Sequence, residues 1–253
     1  MFRYLTNMLS DPRSALMFFL LAFPGRLIAI SAHEFAHAWV ADKCGDHTAR
    51  MLGRLTLNPM KHLDLIGTLM MLLLGFGWAK PVPVNPRNYR NYRRDDLLVS
   101  IAGITMNLIL FVLSFLACAA MVFAVIRGAG ADSEQARDFV YYAASIDSNY
   151  IASLSGSRML GYIYEMLTYF VLVNVSLAIF NLLPVPPLDG YHVLNDMVLR
   201  RDLFASGQAA RAAMGILFVL MFTVYLGTGL SYAVIAVLSG AGWMAQLLFA
   251  LFP

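Results

Sequence analysis

The sequence predicts an all-α polytopic membrane protein, with about four to five transmembrane helices and a short re-entrant or β-like element between the first two. Three observations carry this prediction. Hydrophobic residues make up 60% of the 253 residues and charged residues only 13%, about half the share of an average soluble domain. Stretches without a charged side chain recur at 97–126, 166–188 and 212–253. The charges that remain gather outside these stretches, basic on both sides of 65–79 and acidic over 127–157.

A helix needs about 20 apolar residues to cross a hydrocarbon core of about 30 Å. The first candidate span, about residues 14–41, carries Arg26 and a Pro24-Gly25 pair, so hydropathy alone ranks it last. Its apolar run continues into His33-Glu34-Phe35-Ala36-His37 instead of ending at a small-residue cleavage site, so no cleavable signal peptide is expected. Leu65–Ala79 is apolar but, as a helix, only about 22 Å long, and Gly67, Gly75 and Gly77 punctuate it. It reads as re-entrant or half-buried. The flanks agree: Arg50, Arg54 and Lys61 precede it, and Lys80, Arg87, Arg90, Arg93 and Arg94 follow it. Basic segments stay in the cytoplasm, and a full crossing at 65–79 would put one of them outside.

Span 97–126 then leads outward to an acidic loop, 127–157, with Asp132, Glu134, Asp138 and Asp147 against Arg127 and Arg137. A helix over about 159–183 returns, and 189–211 lies in the cytoplasm. The last stretch is long enough for two segments, with Gly227-Thr228-Gly229 or Ser239-Gly240 as the break, so 211–253 is read as a hairpin or a single span. Arg3 and Arg13 fall outside the cell in this path. No repeat or low-complexity tract interrupts the chain, which is read as one membrane-embedded domain over 1–253 with its core at about 14–195. A net charge of +3 does not suggest nucleic acid. Cys44 and Cys118 are isolated, without metal-site or disulfide spacing.

Two segments carry chemistry. In HEFAH, helical spacing puts His33 and His37 on one face, where both imidazoles can hold one Zn²⁺. Glu34, one step round the helix, is placed to act as general base on a water. The second is Asn181-Leu182-Leu183-Pro184-Val185-Pro186-Pro187-Leu188-Asp189-Gly190. Its prolines end a helix, and a carboxylate at membrane depth is costly enough to mark function. The predicted path brings Asp189 to the depth of the HEFAH helix, so His33, His37 and Asp189 with one water would complete a tetrahedral catalytic site for one Zn²⁺ per chain.

HEFAH on an early span with NLLPVPPLDG far downstream resembles the site-2 protease family of intramembrane zinc metalloproteases. The likeness extends through GDHTARMLGRLTLNPMKHLDLIGT (45–68), GWAKPVPVN (77–85) and AGITMN (102–107), matching the compact branch without PDZ or CBS domains. By that resemblance His33, His37 and Asp189 are the zinc ligands and Glu34 the general base. Asn181 orients substrate or the oxyanion, and Gly75–Val84 is a strand-like re-entrant element able to pair with an unwinding substrate. The resemblance further implies hydrolysis of a peptide bond within or near a transmembrane segment of a protein or peptide substrate. It implies an integral protein of a prokaryotic inner membrane, with lipids as partners and the active site towards the cytoplasm. One position departs: Ile104 stands where the family has proline, which straightens the helix and weakens a role for Asn107.

Other polar residues read as scaffold. His47, His62 and His192 are expected to be ordinary cytoplasmic-side residues, with His62 and Asp64 fixing the basic loop. Arg87, Arg90, Arg93 and Arg94 suit anionic headgroups. The rival reading is a non-proteolytic membrane protein on the same scaffold, either a metal-binding or transport protein or a degenerate protease. The convergence of polar groups on one site, and the intact HEFAH and Asp189, speak against both.

Overall fold

The computed structural model describes residues 11–74, 77–199, 207–221 and 223–251. Arg3, Gly75 and part of the predicted cytoplasmic stretch 189–211 lie outside them. Helices dominate: α1 (Pro12–Cys44), α2 (Thr48–Met51), α3 (Pro59–His62), α4 (Leu65–Leu74), α5 (Tyr92–Gly128), α6 (Ser133–Tyr141), α7 (Ser148–Ser155), α8 (Arg158–Asn181), α9 (Asp189–Leu194), α10 (Gly207–Met221) and α11 (Val224–Phe249). Four of them, α1, α5, α8 and α11, are long and apolar enough to cross a membrane. The chain is an integral membrane protein built on them.

Local chemistry sets the helix ends. Asn91 caps α5 by accepting from Arg94 N, while Asp95 accepts from Asn91 N at 2.8 Å. Asp132 and Gln135 form a reciprocal capping box on α6, and Ser157 caps α8. Helix α8 stops at Asn181, shortly before Pro184. The predicted acidic loop is thus largely helical, and Tyr164 of α8 secures it by donating to Ala143 O (2.9 Å) and accepting from Ile146 N (3.1 Å).

Helices α1, α5 and α8 pack mutually and run alternately, so the C-terminal ends of α1 and α8 meet the N-terminal end of α5. Lipid is as apolar as a core side chain, so close packing and buried polar bonds hold such a bundle together. Small buried residues supply that fit: Ala22, Ala29, Ala32 and Ala36 on α1, and Cys118 and Ala119 on α5. Away from the α1–α5 junction, Phe111, Phe115 and Val122 of α5 pack with Tyr164, Val171 and Val175 of α8 and with Ala136 and Val140 of α6.

The re-entrant reading of 65–79 is borne out. At ten residues, α4 is about 15 Å long, half a bilayer core. The chain then doubles back, so that Leu63 and Ala79 form an antiparallel bridge and Lys80 N donates to His62 O at 2.8 Å. Gly67 sits so close to the Trp78 carbonyl that no side chain fits between the two arms. The returning arm is extended from 77 to 85, yet the described residues contain this single bridge and no β-strand. Two prolines, Pro81 and Pro83, deny it the donors a ladder needs.

Two expectations are corrected. The α1 window has a mean hydropathy of 1.9, above the 1.7 of α8 and the 1.6 of α11, so the first span does not rank last. The C-terminal break falls at neither predicted site. Gly227-Thr228-Gly229 and Ser239-Gly240 both lie inside α11, and the turn comes earlier, at Thr223, whose extended backbone (φ −87°, ψ 151°) precedes the helix. Glycine is common within apolar membrane helices, so its presence did not mark a boundary.

Asp46 organises the basic end. It is fully buried and accepts from the Thr48 hydroxyl (2.5 Å), Thr48 N (3.2 Å), Asn85 N (2.7 Å) and Asn88 Nδ2 (2.8 Å), binding the turn after α1 to the far end of the extended arm. Burial pushes its carboxyl up, but the hydrogen bonds from Thr48, Asn85 and Asn88 outweigh this and hold it below the ordinary value of 3.8. Asp46→Ala should cost about 3 kcal/mol, since hydrogen bonds to a charged group are lost and their donors stranded; thermal unfolding in detergent reads this. The Asp46 contribution is complete above pH 3.8 and disappears as pH falls through the lower native value.

Candidate metal centre

The HEFAH motif lies in the last third of α1. Along the axis, His37 and His33 are about 10 and 16 Å from the end of the helix at Cys44, so the pair is set well inside the bundle. The α1 stripe that buries Ala29, Ala32 and Ala36 also carries both histidines towards α5. Their rings meet edge to face with centroids 4.6 Å apart.

The structure brings three of the predicted site residues together. His33 Nε2 and His37 Nε2 are 3.0 Å apart, and Asp189 Oδ2 lies 3.3 Å from the first and 3.4 Å from the second. These are the one group of potential metal ligands of this kind among the described residues. Asp189 reaches them because α8 ends before the proline run and α9 begins at Asp189 itself. His192 Nδ1, one turn on, bonds Asp96 Oδ2 of α5 at 3.2 Å and so ties α9 to the bundle. That Asp96 bond, stronger than the opposing effect of burial, raises His192 above its ordinary value of 6.5.

The second nitrogen of each imidazole is committed. His37 Nδ1–H donates to Val99 O at 2.7 Å, and because a carbonyl only accepts, the proton sits on Nδ1. His33 Nδ1 bonds Asn107 Oδ1 at 2.6 Å. Both Nε2 lone pairs therefore face Asp189 Oδ2, which is buried and has no hydrogen-bond partner. Two lone pairs and an anion aimed at one point repel unless a cation lies between them. Tetrahedral ligands at about 2.0–2.2 Å from Zn²⁺ are separated by roughly 3.3–3.6 Å. Two of the three separations fall there and the third is slightly short. The residues fit a divalent metal, and the packing around them is tight: a Cβ on Gly103 of α5 would stand 2.5 Å from His33 Cε1 and closer still to His37 Nε2.

Glu34 is held at its own point, accepting from Val82 N at 2.7 Å, so the extended arm touches the motif. Asn181 does not join the cluster through its amide; Nδ2 donates to Leu177 O one turn back, at 3.0 Å. His62 is fully buried and bonds Thr56 O at 2.7 Å, while His47 pairs with Asp42.

A profile of peptidase family M50 matches residues 18–224, a range that spans both motifs. The chain belongs to peptidase family M50. It is 36% identical over 202 residues to "Putative zinc metalloprotease YwhC" of Bacillus subtilis (strain 168), covering 80% of each chain. Two proteins carrying the name "Putative zinc metalloprotease Rip2" are also similar. That of Mycolicibacterium smegmatis is 29% identical over 84% of this chain and 70% of its own. That of Mycobacterium tuberculosis (strain H37Rv) is 27% identical over 80% and 66%. No solved structure matches the chain significantly. The M50 assignment agrees with the resemblance carried by HEFAH and NLLPVPPLDG.

Sequence reasoning undervalued or missed several residues of this M50 centre. Asn107, discounted because Ile104 replaces a proline, is fully buried and bonded to His33. Helix α5 runs unbroken through Ile104, and its register alone delivers Asn107. Gly103 and Val82 were noted only as parts of AGITMN and GWAKPVPVN, without roles of their own, and Asn174 went unremarked. A signal existed for the asparagines, since each is an amide in a stretch otherwise nearly devoid of polar groups. Nothing local marked Val82, whose part is played by its main chain.

Proposed function

We propose that this chain is an intramembrane zinc metalloprotease, one membrane-embedded domain that hydrolyses a peptide bond within or near a transmembrane segment of a membrane protein. The observation that carries this is the convergence of His33 Nε2, His37 Nε2 and an otherwise unpartnered Asp189 Oδ2 inside a bundle of apolar helices. M50 membership and the names of the relatives support the same enzyme class.

His33, His37 and Asp189 would hold one Zn²⁺. When bound, the ion supplies Lewis-acid chemistry, acidifying a water and polarising the scissile carbonyl. Glu34 takes the proton from the attacking water and returns it to the leaving amine. The Val82 N–H fixes one of its oxygens and leaves the other for the proton. The Asn181 amide, now on a main-chain carbonyl of its own helix, could exchange that bond for a substrate carbonyl. Basic segments at the site's end of the bundle support a cytoplasmic orientation, and the likeness to bacterial proteins supports a prokaryotic inner membrane.

A helical substrate hides its carbonyls and must unwind, and the extended arm is the natural place for it to pair. That pairing is one-sided. Pro81 and Pro83 have no N–H, and those of Lys80 and Val82 are already bound. Arg54 already donates to the carbonyls of Lys80 (2.7 Å) and Pro81 (3.2 Å), so a substrate laid along 80–83 supplies the donors itself, to the carbonyls of Val82 and Pro83. Purified protein in liposomes with a single-span substrate should yield two fragments whose masses put the cut bond within the span or at its edge. Cleavage confined to soluble loops, or none at all, would overturn the proposal.

A further inference from the structure

Behind the metal centre, two amides form a chain whose direction is set from both ends. Asn174 Nδ2 of α8 donates to Phe170 O at 2.8 Å. Asn107 Nδ2 of α5 donates to Ala29 O of α1 at 3.3 Å and to Asn174 Oδ1 at 3.0 Å. Carbonyl oxygens only accept, so Phe170 O and Ala29 O dictate which way each amide points. Reversing Asn107 would set oxygen against oxygen at two places. Both asparagines are fully buried, where no water can take over a lost bond. One capacity of Asn107 remains, the acceptor Oδ1, and it faces His33 Nδ1 at 2.6 Å. An acceptor there requires the proton on Nδ1 and leaves the lone pair on Nε2, towards His37 and Asp189.

We propose that Asn174 is a positioning residue: acting through Asn107, it sets the tautomer and ring orientation of His33, and with them the metal affinity of the site. The inference rests on the reading of His33 as a ligand. It also separates the two histidines. His37 is oriented by the main-chain carbonyl of Val99, which no side-chain substitution removes. His33 depends on a relay of side chains across α1, α5 and α8, so the register of α8, which itself carries no ligand, is linked to the metal.

The test measures zinc affinity by chelator competition on the full chain in detergent. Asn107→Leu should bind zinc about 10–100-fold more weakly, the usual effect of losing a group that orients a ligand, and Asn174→Leu about tenfold. The double variant should be no weaker than Asn107→Leu alone, since Asn174 acts only through it. Imidazole ¹⁵N spectra of the metal-free protein should show His33 losing its single tautomer in Asn174→Leu while His37 keeps its own. Asn174→Asp offers the same acceptor to Asn107 and, protonated, a donor to Phe170 O, so it should bind zinc as the wild type does. This variant also serves if the leucine substitution prevents folding. Wild-type affinity in Asn174→Leu, additive losses in the double variant, or loss of zinc in Asn174→Asp would each overturn the relay. His33→Ala and Asp189→Ala are measured alongside. If these retain zinc, the ligand assignment itself fails; if they lose it while Asn174→Leu keeps it, the relay alone fails.

Discussion

Glu34→Gln is expected to retain zinc and to cleave about 10²–10⁴-fold more slowly, the range that a positioned acid–base group contributes. The two effects separate because Glu34 is not among the three converging atoms. Glutamine has the same shape and its amide oxygen can still accept from Val82 N, so the contact between HEFAH and the extended arm survives. Only the capacity to take up and return a proton is lost. Zinc content and the rate of cleavage of a single-span substrate, measured on one preparation, decide the matter. Full activity with bound zinc would remove Glu34 from the chemistry. A joint loss of zinc and activity would mean that Glu34 supports the fold of the site instead.

The second large effect comes from a single methyl group. Gly103→Ala puts a Cβ 2.6 Å from His33 Nε2 and closer still to His37 Nε2, the two atoms proposed to bind the metal. Neither ring can swing away freely, since Val99 O and Asn107 Oδ1 hold their Nδ1 atoms. Either the imidazoles leave their positions or α5 moves off α1, and both spoil the convergence with Asp189. Zinc affinity should fall about 100-fold, the upper end of what a disturbed ligand orientation costs. Overpacking should destabilise the fold by only about 1–3 kcal/mol, so the variant should still purify as a folded protein. Wild-type zinc binding in folded Gly103→Ala would show that the site has room this structure does not show.

The first three long helices and the turn-back between the first two were legible because their signals are local. Apolar length marked α1, α5 and α8, charge asymmetry at the flanks of 65–79 marked a chain that turns back, and i, i+4 spacing put two imidazoles on one face. The proline run after α8 marked where a carboxylate could be presented. Signals of that kind fail where a residue has no local consequence. The glycines at 227–229 and 239–240 were read as breaks, yet an apolar membrane helix carries them without interruption, and the turn sits at Thr223. The proline missing at Ile104 cast doubt on Asn107, yet helical register, indifferent to that proline, still delivers the amide to His33.

By itself, the sequence determined that the protein crosses the membrane and singled out His33, Glu34, His37 and Asp189 as the side chains we propose for the chemistry, because periodicity and residue type act over a turn or two of chain. Only the tertiary structure decided what surrounds HEFAH: Gly103 against both rings, the Val82 main chain on Glu34, and Asn107 and Asn174 behind His33. Those contacts join residues 48 to 78 positions apart. Their existence depends on how three helices pack, which no local pattern records.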